Sequence, residues 1–179
     1  DTRMTSKLKT DVLETVSGSG TIALTNQLSG MTSASVPSGS VLQVVSATSG
    51  TYTLTTSTSF VTTPLTASIT PTSTSSKILV TVSAAIYAQS GGTYAARYTI
   101  FRGTVSGVNL GNTSTGFANI YNGSGSSLAA PMGISILDSP NTTNSQTYTV
   151  GMRSQGNGTG AGIMTESATS TITLMEIQG

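Results

Sequence analysis

KILVTVSAAIYA, residues 77–88, is the stretch that decides the fold class. Ile78, Val80, Val82, Ala84 and Ile86 recur at every second position, with Thr81, Ser83 and Ala85 between them. A period of two puts the apolar set on one face of an extended strand, whereas a helix needs a period near 3.6. The same alternation returns in QTYTVGMR (146–153), where Tyr148, Val150 and Met152 share a face, and in TITL (171–174), where Ile172 and Leu174 do. Working outward, further candidate strands are 41–48, 51–58, 65–70, 95–102, 116–121, 132–138 and a last one over 170–177. Turn formers separate them: GG (91–92), RGTVSG (102–107), NGSGSS (122–127), DSPNTTN (138–144) and QGNGTGAG (155–162). No helix of ordinary length is visible after residue 40, and no long internal repeat suggests a solenoid or propeller. Short strands at this spacing predict an all-β sandwich of the jelly-roll kind.

Composition agrees with that reading. Charged residues are 7% of the 179 positions, against about 25% in an ordinary soluble domain. Ser and Thr fill the gap at about a third of the chain. Disordered chains carry high net charge and few β-branched residues. Here the net charge is +1 and Thr, Val and Ile abound. Six charges (Asp1, Arg3, Lys7, Lys9, Asp11, Glu14) crowd the beginning, and none follows until Lys77. Met4, Leu8 and Val12 suit either a short helix or an extended connector. With SGSG at 17–20 and SVPSGS at 35–40, residues 1–40 read as a stalk or connector and 41–179 as the head.

Several stretches resemble the C-terminal part of fibre proteins from tailed phages, marine and cyanobacterial ones especially. They are LETVSGSGTIALTNQLSGMTSASVPSGSVLQVV (13–45), PTSTSSKILVTVS (71–83), YTIFRG (98–103), LAAPMGISILDSPNT (128–142), QTYTVGMRSQ (146–155) and STITLMEIQG (170–179). SSKILVTVS and the closing STITLMEIQG are the most specific. The resemblance implies a trimeric virion fibre on the particle exterior, ending in a jelly-roll β-sandwich head akin to those of tumour necrosis factor and complement C1q. Host-surface attachment would be its task, with other virion proteins held through the N-terminal segment. A capsid fibre or decoration protein without receptor binding is the second reading. No catalytic residues carry over.

Chemistry is poorly provisioned. There is no His and no Cys, which removes the commonest general base, the commonest metal ligand and all thiol chemistry. A tailspike-type polysaccharide hydrolase needs two carboxylates facing one sugar, and the head offers Asp138, Glu166 and Glu176. Asp138 opens DSPN and is expected to cap its turn; Glu176 sits in the last strand and is expected beside an Arg. Gly156, Gly158, Gly160 and Gly162 read as a surface loop, since neither a helix nor a Lys follows to make a phosphate cradle. DSPNTTN is expected to be a turn rather than a Ca²⁺ loop. The expectation is therefore no enzyme, no cofactor and no metal. Four basic residues spread over the head do not make a nucleic-acid track, and no apolar run reaches the roughly 20 residues of a membrane-spanning helix. What remains is a loop inventory suited to sugars: Tyr94, Arg97, Phe117, Asn119, Tyr121 and Asn122, on or beside loops 89–94, 103–125 and 154–165. These loops carry no charge apart from the flanking arginine, which favours a neutral glycan.

Overall fold

The computed structural model describes residues 36–89, 94–122, 126–156 and 160–179, with the backbone alone for Tyr94, Asn122 and Thr165. The connector read over 1–40 therefore lies almost wholly outside the described residues. Eleven strands follow in order: β1 (Val41–Ser49), β2 (Thr53–Thr55), β3 (Val61–Ile69), β4 (Lys77–Ala88), β5 (Tyr94–Arg102), β6 (Val108–Asn109), β7 (Ala118–Asn122), β8 (Leu128–Asp138), β9 (Gln146–Ser154), β10 (Ala161–Ile163) and β11 (Ser170–Ile177).

In the first sheet β11 lies between β1 and β4, and β8 takes the far side of β4. β10 continues the line of β11 along β4, and β2 continues the line of β1. In the second sheet the order is β3, β9, β5, with β6 and β7 sharing the remaining edge of β5. All pairings are antiparallel. Merging the split strands gives eight ladder positions in chain order, running 1-8-3-6 in one sheet and 2-7-4-5 in the other. That is the double Greek key of a jelly roll.

The alternation seen in the sequence is the packing. Ile78, Val80, Val82, Ala84 and Ile86 of β4 are all buried, as are Ile172 and Leu174 of β11. Across the core they meet Leu65, Ala67 and Ile69 of β3, Tyr98 and Ile100 of β5, and Tyr148, Val150 and Met152 of β9. Each large side chain fully withdrawn from water contributes roughly 1.5–3 kcal/mol. Tyr98 spans the core between the sheets. Its hydroxyl lies 2.6 Å from the Gly162 carbonyl oxygen and 3.0 Å from that of Tyr87, and accepts the Tyr87 N–H at 3.3 Å. Burial pushes its phenol well above the usual tyrosine range, so it stays a donor. Tyr98→Phe should cost about 1–3 kcal/mol by stranding those carbonyls; urea melts should show a lower midpoint at unchanged slope.

Three expectations need correction. The strand read over 51–58 is only the short β2, because its neighbour β10 is itself three residues long. β3 begins at Val61, ahead of the expected 65, because a register shift between Thr62 and Thr66 accommodates Pro64 on an edge strand. There Thr63 Oγ1 donates to the Val150 carbonyl at 2.8 Å and accepts the Leu65 N–H at 3.3 Å. The glycine run is not all surface loop, since Gly160 and Gly162 are buried and Gly162 is central in β10. A Cβ on Gly160 would come within 2.7 Å of both Leu54 and Gln89, so the glycine admits close packing.

Between β10 and β11 the chain inserts a short 3-10 turn, Thr165–Ser167. Met164, Glu166 and Ser167 all adopt left-handed backbone there, with φ of 59°, 55° and 58°. Met164 is held by complete burial and by its N–H donating to Ala85 O at 2.7 Å.

Candidate functional site

In β5, Ala96, Tyr98 and Ile100 point into the core, so Ala95, Arg97, Thr99 and Phe101 face outward. In β9 the same rule turns Thr149, Gly151 and Arg153 outward. Register then places Arg97 opposite Arg153 on one side and opposite Asn119 on the other. Two guanidinium groups thus sit side by side on the outer face of the second sheet.

The β5–β7 connection closes over this face. Thr99 Oγ1 donates to Asn109 Oδ1 at 2.6 Å, and the Gly111 N–H donates to the same oxygen at 3.0 Å. Asn112 Oδ1 accepts the N–H groups of Ser114 and Thr115, and the Phe117 N–H returns to Tyr98 O at 2.8 Å. Gly116 sits at φ +69°, where an added Cβ would lie 2.2 Å from Tyr98 O, so the turn requires glycine. This loop aims the Ser114 carbonyl at both arginines: Arg97 Nη1 donates at 2.9 Å, and Arg153 Nη2 donates to it as well. Arg153 Nη1 donates to Thr58 O at 2.7 Å.

Aromatic rings complete the arrangement. The Arg153 guanidinium lies 5.4 Å above the Phe60 ring, and Phe60 meets Phe101 edge-on with centroids 5.8 Å apart. An open depression of about 460 Å³ is lined here by Thr58, Phe60, Phe101, Asn109, Thr113 and Arg153, among others. The Nε atoms of Arg97 and Arg153 are buried without a hydrogen-bond partner. Desolvation, then the neighbouring Arg97, pull the pKa of Arg153 below the ordinary arginine value. Among the described residues the one ion pair is Arg102–Asp138, elsewhere. No carboxylate pairs with the two arginines among the described residues.

Of the residues singled out in the sequence, Arg97 and Asn119 are brought together on this face, and Tyr121 is exposed opposite Ala95. Phe117 closes the covering loop at the rim of β7. Tyr94 and Asn122 pair through their backbones at the end of β5, and their side chains lie outside the described residues. Phe60, Phe101, Asn109 and Arg153 were missed. The alternation in QTYTVGMR carried the signal for Arg153, since a strand burying Met152 turns the next residue outward.

The carboxylates are structural. Asp138 caps no turn of its own; it ends β8, buried, where Arg102 donates to Oδ2 at 3.0 Å and the Tyr148 hydroxyl donates at 2.8 Å. Burial first, and then Asp138, push the Tyr148 phenol far above its usual range. Among the described residues no arginine pairs with Glu176. Fully buried, it accepts from Gln43 Nε2 at 2.6 Å and from the N–H and hydroxyl of Thr72 at 2.7 and 2.8 Å. Both acids flank Ile78 in register, each locked by its own donors. Glu166 stands apart, exposed in the 3-10 turn. No cluster of three metal-ligating side chains occurs among the described residues.

No protein-family model matches the chain, and no curated protein does. Solved structures do. One of infectious bursal disease virus strain Gx shares 12% identity over 79% of this chain, at TM-score 0.39. The virus's VP2 subviral particle shares 10% over 78%, at 0.36, and T=1 particles derived from it share 13% over 89%, at 0.40. The chain spans 39%, 39% and 41% of those chains' own lengths.

Proposed function

We propose that this chain is the head of a homotrimeric fibre on the exterior of a virion, with host-surface attachment as its task and no catalytic role. The observation that carries the reading is the outer face of the first sheet. Val44, Met175, Leu79 and Leu137 form one cross-strand row over β1, β11, β4 and β8. Val44 is 56% and Leu137 48% exposed. The next row is Ser46, Thr173, Thr81 and Ser135, and the one after it Thr48, Thr171, Ser83 and Gly133. From Leu79 to Tyr87, and at the paired outward positions of the neighbouring strands, no side chain is charged.

A face four strands wide, charged only where Lys77 opens β4 at its end, suits the core of a protein interface, which is depleted of charged residues. Sister copies arranged by closed rotational symmetry would cover it. Resemblance of the sequence to tailed-phage fibre termini supports a virion fibre in particular. The second sheet, with its loop-covered depression, would then be left to face the host. In this reading residues 1–40 connect the head to the particle; Gly39 and Ser40 already exchange backbone hydrogen bonds with Gln178, at 2.8 Å each.

Antibody against residues 41–179, applied to intact particles and viewed by electron microscopy, tests the location. Label at the distal ends of fibres is the expected result. Label confined to broken particles would overturn the exterior placement.

A further inference from the structure

We propose that the depression beside Arg153 on the second sheet binds an acidic sugar, a pyranose carrying a carboxylate or a sulfate. The proposal deepens the attachment reading and rests on it, naming the ligand class that the exposed sheet would take.

Charge is the first argument. Like charges directly opposite on neighbouring strands destabilise a sheet. Arg97 and Arg153 are so placed, and among the described residues no Asp or Glu pairs with them. Their Nε–H groups are withdrawn from water, so the pair is desolvated and its like charges are poorly screened. Arg153 lines the depression, and an anion entering it supplies the missing charge beside the pair. Guanidinium groups suit carboxylate and sulfate oxygens because their planar donors can be met two at a time.

The lining selects what the anion is attached to. Phe60 and Phe101 give an apolar wall beside the cation, matching the C–H face of a sugar ring. Asn109 has its oxygen committed to Thr99 and Gly111, so it offers amide N–H donors, while Thr58 and Thr113 bring hydroxyls. Such donors suit ring hydroxyls. About 460 Å³ falls in the range of small-ligand sites. A nucleic-acid backbone would need a track of cations, and the described residues of this face hold one pair.

The full chain should be titrated by calorimetry with a galacturonic acid tetrasaccharide, a sulfated galactan oligosaccharide, its unsulfated counterpart and inorganic sulfate. The acidic oligosaccharides should bind at least about tenfold more tightly than the neutral one, with a preference that shrinks as salt rises. Inorganic sulfate alone should bind more weakly than either. Arg153→Gln should abolish the preference, and Phe60→Ala should weaken oligosaccharides but not sulfate. Because Arg153 also holds Thr58 and Ser114, a second variant guards against misfolding. Thr113→Glu puts a carboxylate at the exposed rim, so it should raise the melting temperature and compete the acidic sugar away. Equal binding of neutral and acidic sugars, or acidic binding unchanged in both Arg153→Gln and Thr113→Glu, would overturn the site. If, in addition, the purified chain still blocked adsorption of its own virion, the attachment reading would survive that failure.

Discussion

Glu176→Ala should destabilise the head by about 1–3 kcal/mol, a large loss for a single truncation that leaves the hydrophobic core intact. The carboxylate is fully buried and joins three segments: β1 through Gln43, the connection after β3 through Thr72, and β11, on which it stands. Removing it takes the acceptor from the Thr72 N–H and hydroxyl and from one donor of Gln43. Thr72 is exposed and Gln43 half-buried, so water replaces part of what is lost and the cost falls at about 1–3 kcal/mol in all. Gln43 Nε2 keeps its bond to Thr70 O, so the loss is partial on that side. Acid should imitate the substitution. Burial alone would raise the pKa of Glu176, but hydrogen bonds from Gln43 and Thr72 outweigh it and hold the group below the ordinary Glu value. A depressed folded pKa gives stability that is complete above the unfolded value of about 4.3 and is lost as pH falls through the folded one. Denaturant melts between pH 7 and pH 2 should show that decline in the natural chain and a much shallower one in Glu176→Ala. Parallel curves would mean that Glu176 does not carry the acid sensitivity.

The second large effect concerns assembly. Val44→Lys together with Leu137→Lys should convert the proposed trimer to a folded monomer at micromolar concentration. The two side chains stand at opposite ends of one apolar row and point away from the core, so the sandwich has no reason to unfold. Desolvating an unpaired ammonium group in an interface costs several kcal/mol, and each copy would bring two. Far-ultraviolet circular dichroism should remain that of a β protein while the sedimentation coefficient falls. Loss of the β signal would show instead that the row supports the fold of one chain.

How much was legible in the sequence depended on how local each feature is. β4, β9 and β11 announce themselves because burial on one face writes period two directly into KILVTVSAAIYA, QTYTVGMR and TITL. β10 does not. Its three residues lie in a glycine run, and those glycines admit the close approach of side chains brought in from elsewhere, Leu54, Gln89 and Tyr87. The candidate site divides in the same way. Arg97 and Asn119 drew notice through a loop composition that suits sugars. Arg153 acquires its meaning only from standing opposite Arg97 in register, which pairing across the second sheet decides. Loop composition suggested a neutral ligand because it contains no charge; the charges stand on the strands beneath the loop. Asp138 and Glu176 were misread for a related reason, since the donors that fix them come from Arg102, Tyr148, Gln43 and Thr72.

The central claim is that the apolar and hydroxyl-rich outer face of the first sheet is covered by sister copies, and the mass of the full chain in solution tests it most directly. Multi-angle light scattering at micromolar concentration should give three times the 18.0 kDa chain mass, and one times that mass for the Val44→Lys, Leu137→Lys variant. A natural chain that scatters as a monomer would contradict the account.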